Sequence, residues 1–230
     1  MTVPDRSPRT LVLWDVDHTL IETRGVGRAI YDRAFPAATG QPLRKLAKIA
    51  GRTELDIMAE SLRINDIEPT TDAVARLADA LVQEYEDARD ELRTTGRALP
   101  GAEETLARLA GDSAIYQAVL SGNLRAVARI KLEVFGLDKY LDLEASAFGD
   151  DHADRPKLVA IAQQRAERRT GTRFEGPGTV IVGDTPNDVK AALTAGVDVI
   201  AVATGKSTED DLRAAGAERV IASLHTFPVL

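Results

Sequence analysis

The stretch Leu11-Val12-Leu13-Trp14-Asp15-Val16-Asp17-His18-Thr19-Leu20 decides how the rest of the chain is read. Leu11 to Trp14 are four consecutive apolar residues, the pattern of a short strand buried on both faces. Asp15 and Asp17 follow at a spacing of two, and side chains alternate along a strand, so the two carboxylates project to the same side. In an open parallel sheet the ligand crevice lies beyond the carboxyl ends of the strands, where this pair falls. Carboxylates so close repel, and one keeps its proton unless a cation joins them. A bound magnesium relieves that repulsion and leaves an oxygen free to act as a nucleophile. Taken alone, the pair also reads as a polar turn closing a core strand. A calcium loop is excluded, because Leu20 and Val26 stand where that loop needs glycine and glutamate.

Around this stretch, 230 residues accommodate one large domain or a core with a smaller companion. A content of 44% hydrophobic and 28% charged residues is ordinary for a globular protein that buries a real core. The formal charge of −7 and the lack of a lysine/arginine-rich block give no reason to expect nucleic-acid binding. With no cysteine, disulfides, thiolate metal sites and a cysteine nucleophile are excluded. Residues 1–10 carry proline and mixed charge, and the apolar run that follows is too short for a signal peptide or a membrane span. The expectation is a soluble cytoplasmic protein with no membrane attachment.

After the opening strand the pattern turns helical. Helices are expected over 26–38 and 53–62, and the clearest over 71–93, where Val74, Leu77, Ala78, Leu81, Val82 and Tyr85 repeat at i, i+3, i+4 spacing. From Leu99 onward strand and helix alternate. Strands are expected at 114–120, 141–147, 179–182 and 197–202, with a weak one at 220–221. Helices are expected from Pro100-Gly101 to 110 and over 123–135, 156–169, 186–195 and 209–215. Alternation of this kind means a parallel sheet with helices on both faces. The first strand has no neighbour in sequence and most simply joins the later sheet, making residues of about 22 to 98 a helical insertion.

Three further polar clusters follow strand ends. Ser121-Gly122-Asn123 precedes a helix, where a hydroxyl and backbone N–H groups cradle a phosphate, although an ordinary N-cap has the same residues. Asp154-Arg155-Pro156-Lys157 opens the next long helix with cations that oppose its dipole unless an anion compensates. Gly183-Asp184-Thr185-Pro186-Asn187-Asp188 places two carboxylates at i, i+4 around a helix-starting proline, which one capping aspartate does not explain. Two other glycine motifs are rejected. Gly25-Val26-Gly27 lacks the third glycine of a dinucleotide fingerprint, with Ile30 in its place, and Gly205-Lys206-Ser207 lacks the first glycine of a P-loop, with Ile200 there. His18, His152 and His225 show no metal spacing.

With these clusters in order, the chain resembles the haloacid-dehalogenase-like hydrolase superfamily, in particular its phosphoglycolate-phosphatase-like phosphatases with a helical cap inserted after the first strand. Asp15-Val16-Asp17-His18-Thr19 resembles the first motif, with histidine where glycine is commoner; Ser121 matches the second, and Gly183-Asp184 with Asp188 the fourth. The resemblance implies an α/β fold, with a Rossmann-like parallel-sheet core of residues 1–21 and 99–230 and an α-helical cap of residues 22–98. It implies Asp15 as nucleophile and Asp17 as general acid/base, with Mg²⁺ held by Asp15, the Asp17 carbonyl and Asp184, and Asp188 in support. Thr19, Ser121, Gly122 and Asn123 fall in the implied phosphate site. The third motif departs from the family, which usually has a lysine there. Registering on the proline favours Arg155 and residue type favours Lys157, so both are carried as phosphate-binding candidates. The implied activity is Mg²⁺-dependent hydrolysis of a small phosphomonoester, a phosphorylated metabolite, through an aspartyl-phosphate. A phosphomutase shares the same core motifs, and a non-catalytic binding or regulatory protein is the reading from another class, which the intact Asp15, Asp17, Asp184 and Asp188 oppose. Within the insertion Arg24, Arg28 and Arg52 are candidates for substrate specificity, the last in the turn Gly51-Arg52-Thr53. Oligomeric state is open.

Overall fold

A computed structural model describes residues 8–49 and 51–230. Most of the opening segment expected to be neither leader nor anchor therefore lies outside the described residues. Strand β1 (Thr10–Trp14) opens the described core, and Leu11, Val12, Leu13 and Trp14 are fully buried. A two-residue ribbon strand β2 (Ile21–Glu22) leads into four helices, α1 (Val26–Thr39), α2 (Glu54–Arg63), α3 (Thr71–Asp87) and α4 (Arg89–Thr95). The chain returns through β3 (Arg97–Ala98), which pairs antiparallel with β2, Ile21 opposite Ala98 and Glu22 opposite Arg97. The ribbon was not legible in the sequence, since two residues are too few to show a period.

The remainder alternates: α5 (Ala102–Ala110), β4 (Ile115–Val119), α6 (Arg125–Val134), α7 (Arg155–Thr170), β5 (Thr179–Gly183), α8 (Pro186–Ala195), β6 (Asp198–Val202), α9 (Glu209–Ala214) and β7 (Arg219–Ile221). Strands β4, β1, β5, β6 and β7 form one parallel sheet in that order, so the first strand lies inside it between β4 and β5. The period-two rule sorts the sheet into two cores. Leu11, Leu13, Ala118, Ile181 and Ala201 pack with Leu158, Val159, Ala162 of α7 and Val189, Ala192 of α8. Val12, Trp14, Val119, Val182 and Val202 pack on the other face with Leu106 of α5, Ala128 and Leu132 of α6, and Phe227. Trp14 keeps its indole nitrogen satisfied inside that core by donating to Gln117 Oε1 at 3.1 Å.

Helices α1 to α4 hold a third apolar cluster of their own, including Ile30, Phe35, Met58, Leu77 and Leu81. It also takes in Leu124, Val127 and Ile130, so α6 faces the helical segment with one side and the sheet with another. The single helix expected over 71–93 divides at Ala88, whose φ of −90° and ψ of 11° leave the helical region.

The strand expected at 141–147 does not form. A short 3-10 turn covers Asp138–Tyr140, and the only ladder contact beyond it is an isolated parallel bridge between Leu120 and Ala147. Asp142 is the reason: its Oδ1 accepts from the backbone N–H of Glu144 and Ala145, an Asx-type turn that competes with extended structure. Ser146 then stands in for the sheet, its hydroxyl accepting from Val119 N–H at 2.7 Å. Among the described residues no helix is long and apolar enough to cross a membrane.

Candidate active site

The carboxyl ends of β1, β4, β5 and β6 converge under the helical segment on a cavity of about 220 Å³. Asp15 leaves the end of β1 with its backbone N–H bonded to Val182 O at 2.9 Å, so the parallel ladder itself sets its position. Asp184 leaves β5, and Asp188 is the third residue of α8. One oxygen from each of Asp15, Asp184 and Asp188 lies within 4.8 Å of the others, and all three residues are buried. Asp188 is already engaged on both sides. Its Oδ2 closes a capping box with Thr185, and its Oδ1 accepts from Arg155 Nη2 at 2.5 Å. The same Nη2 donates to Asp15 Oδ1 at 2.8 Å, and Arg155 Nε is the one buried side-chain nitrogen or oxygen without a partner among the described residues.

Three buried carboxylates against one guanidinium leave this corner short of positive charge. Burial raises the Asp15 carboxyl above the ordinary range, opposed by Arg155 and assisted by Asp188. Burial first, then the charges of Asp15 and Asp188, raise Asp184 in the same way. Hard carboxylate oxygens crowded this closely suit a hard divalent cation. Gly205, after β6, closes the corner from the far side. A Cβ there would sit 1.7 Å from Asp184 Oδ2, which no side chain allows.

Asp17 lies across the cavity in a different environment. Its carboxylate accepts from Lys131 Nζ at 2.9 and 2.7 Å and from Asn123 Nδ2 at 2.8 Å. Burial pushes its carboxyl up, but the Lys131 charge and hydrogen bonds outweigh that and hold it below its ordinary value. Asp15 is thus the group favouring a proton and Asp17 the ionised one, the reverse of the starting state of an attacking Asp15 and a proton-donating Asp17. The cause is local: Asp17 has a dedicated ammonium, whereas Asp15 shares one guanidinium with a second carboxylate.

Ser121, Gly122 and Asn123 line the cavity as expected, with Ser121 Oγ accepting from Asn123 Nδ2 at 2.8 Å. Three expected residues stand elsewhere. Thr19 is fully buried outside the lining, its hydroxyl 3.5 Å from Asp184 Oδ1, so it supports that carboxylate rather than facing a ligand. Lys157 is exposed and away from the cavity, because two residues along α7 turn its side chain to the opposite side from Arg155. Arg24 is half-exposed, paired with Glu22, and likewise outside the lining. Arg28 and Arg52 do line it, each holding an acidic partner one turn on, Asp32 and Asp56.

The helical segment touches the core through the turn that carries Arg52. Glu54 N–H donates to Gly122 O at 2.7 Å, Thr53 Oγ1 to Ala153 O at 3.2 Å, and Asn187 Nδ2 to Gly51 O at 2.8 Å. Gly122 has to be glycine for this approach, since a Cβ there would meet Arg52 O at 2.1 Å. Several lining residues escaped the sequence reading: Lys131, Glu54, Tyr31, Tyr85, Lys206 and Ser207. The signal for Lys131 was present, as it sits between Ile130 and Leu132 on the buried side of α6, away from the exposed face of Arg129 and Glu133. Lys206 and Ser207 lay inside the rejected P-loop lookalike. That loop follows a strand end, and position rather than motif brings it to the cavity.

Buried like charges facing a cavity are what a structural core avoids and an enzyme uses, and their place beyond the strand ends puts the chain among α/β enzymes. The match is specific at the level of family: the chain belongs to the haloacid dehalogenase-like hydrolases, whose family model matches residues 12–193. It is 28% identical over 229 residues to a plasmid-borne phosphoglycolate phosphatase of Cupriavidus necator, covering 97% of this chain and 93% of that one. It is 29% identical over 235 residues to the probable phosphatase IndB of Dickeya dadantii, covering 93% and 89%. In three dimensions it is similar to the crystal structure of CbbY from Rhodobacter sphaeroides in complex with phosphate, with a TM-score of 0.71 at 21% identity, covering 94% and 95%.

Proposed function

We propose that this chain is a Mg²⁺-dependent phosphatase that hydrolyses a small phosphomonoester through an aspartyl-phosphate on Asp15, with residues 22–98 acting as a cap over the site. The observation that carries this reading is the buried meeting of Asp15, Asp184 and Asp188 with Arg155 at the strand ends. The phosphatase names of the relatives from Cupriavidus necator and Dickeya dadantii support it, the first suggesting a phosphoglycolate-like substrate.

Asp15 and Asp184 would hold the cation, while Asp188, both of whose oxygens are engaged, supports Arg155 and the start of α8. When bound, the cation offsets the repulsion among the carboxylates and polarises a phosphoryl oxygen. For the first step Asp15 would give up its proton on cation binding and Asp17 would take one up from solvent. Asp15 then attacks phosphorus as the P–O ester bond breaks, and Asp17 delivers its proton to the departing alkoxide. Asp17 then removes a proton from the water that attacks the phosphoryl group, and inorganic phosphate leaves a restored Asp15. Paired with Lys131, Asp17 favours the ionised form, which is the one required for that second step. Arg155 and the Ser121–Asn123 turn hold the equatorial oxygens.

The test is a panel of phosphomonoesters assayed with and without Mg²⁺, following both substrate loss and free phosphate. Stoichiometric phosphate release that needs the cation is expected. Isomerisation of a sugar phosphate with little free phosphate would replace this reading by a mutase, and turnover indifferent to chelation would remove the metal from it.

A further inference from the structure

Lys131 is a buried ammonium on a helix whose neighbouring residues, Val127, Ala128, Ile130 and Leu132, all belong to apolar cores. Its side chain is 4% exposed. Taking an ammonium out of water is strongly unfavourable unless it is fully paired, and a methionine would fill this seam without that penalty. The pairing is complete: its contacts are the two Asp17 oxygens at 2.9 and 2.7 Å and Asn123 Oδ1 at 2.8 Å. Three acceptors match the three N–H bonds of an ammonium, so no donor remains for a ligand. Asn123 is fixed in turn, because its Nδ2 donates to Asp17 Oδ2 and to Ser121 Oγ, both at 2.8 Å. Asp17 keeps 35% of its side chain exposed, against a buried Lys131, Asn123 and Ser121, so the most exposed member of the network is the one that moves protons in the reading above.

The cover over this network comes from the helical segment. The ring of Tyr85, on α3, lies 5.2 Å from Lys131 Nζ, close enough for a cation–π contact. Glu54, on α2, is buried and hydrogen-bonded to Tyr31, and burial raises its carboxyl, which limits its competition with Asp17 for the ammonium.

We infer that Lys131 is a positioning residue: with Asn123 it fixes the Asp17 carboxylate toward the cavity, and Tyr85 completes its pocket when the helical segment is seated. This rests on the proton-transfer role of Asp17 under the proposed function. A substrate-binding cation would keep a free donor, and a purely structural lysine would have no reason to spend its hydrogen bonds on a cavity-facing carboxylate. Proton transfer requires approach to within about 3 Å, and misplacement by about 1 Å removes on the order of 100-fold in rate.

The test compares kcat/KM for ethyl phosphate, whose alkoxide needs a proton to leave, with that for p-nitrophenyl phosphate, whose phenolate does not. In Lys131→Met the ratio of the two should fall by about 100-fold, the size of one general-acid contribution. Inhibition by inorganic phosphate should stay within about threefold, since the phosphate contacts are intact. Lys131→Arg, which keeps the charge, should retain part of the ratio, and adding Lys131→Met to Asp17→Asn should lower it no further. The ratio is taken within each variant, so a partly folded preparation does not imitate the effect. An unchanged ratio with equal loss on both esters would make Lys131 structural, and an unchanged ratio with weaker phosphate inhibition would make it a phosphate contact; either overturns the inference alone. A wild-type protein that releases phosphate from neither ester would overturn the phosphatase reading and this role with it.

Discussion

The two sides of the cavity hold similar residues in opposite electrical states. On one side Asp15, Asp184 and Asp188 crowd around the single guanidinium of Arg155, which pairs with Asp15 and Asp188, and burial with mutual repulsion raises Asp15 and Asp184. On the other, Asp17 has the ammonium of Lys131 to itself and is held below its ordinary value. The difference separates a corner whose carboxylates outnumber their cations from one whose carboxylate is fully paired. Apolar packing does not create it, since both corners lie at the ends of the same sheet; the number of cations supplied to each does.

Removing Arg155 should break the comparison most severely. Arg155→Ala leaves Asp15 and Asp188 without their shared partner and takes away the proposed phosphate contact, so kcat/KM should fall by about 100-fold or more. Lys157→Ala, two residues on and exposed, should stay within about twofold of wild type. Equal losses in the two variants, measured on one substrate under saturating Mg²⁺, would return the choice between these cations to where the sequence left it.

A smaller effect separates the corners by sign. Asp15 and Asp184 have folded values above the ordinary 3.8, so each stabilises the fold below that value and loses its contribution as pH rises through the folded value. Asp17, held below 3.8, contributes above that value and loses its contribution only as pH falls through its lower folded value. Metal-free protein should therefore melt at progressively lower temperature between about pH 5 and about pH 8, the window set by the raised pair. Added Mg²⁺ should restore several degrees at the upper end, by binding only the folded state. Asp184→Asn should flatten both responses. A melting temperature that climbs across this window, or one that ignores Mg²⁺, would contradict the charge imbalance.

The carboxylates and the serine at the strand ends were more legible in the sequence than the cavity residues supplied by α6 and the helical segment. Asp15, Asp17, Ser121, Asp184 and Asp188 each follow a strand or open a helix, so local periodicity was enough to place them. Arg155 and Lys157 could not be separated by motif, because the choice depends on which face of α7 meets the sheet. Lys131 was overlooked because its partner lies 114 residues away, a contact no local pattern contains. Tyr31, Glu54 and Tyr85 were hidden for the same reason, since the packing of α1 to α4 against α6 decides which of their faces meets the core. The strand expected at 141–147 failed for the opposite reason: apolar alternation was present, but Asp142 and Ser146 turned the backbone bonds inward.

The central claim is that Asp15 carries the phosphoryl group, and the direct measurement is where that group attaches. Protein turning over a phosphomonoester with Mg²⁺ is quenched in acid and treated with borohydride, which reduces an acyl phosphate to an alcohol, and its peptides are mapped by mass spectrometry. The expected result is a reduced side chain at Asp15 alone, absent without substrate and absent in Asp15→Asn. Reduction at Asp17 or Asp184 instead, or full turnover by Asp15→Asn, would contradict it.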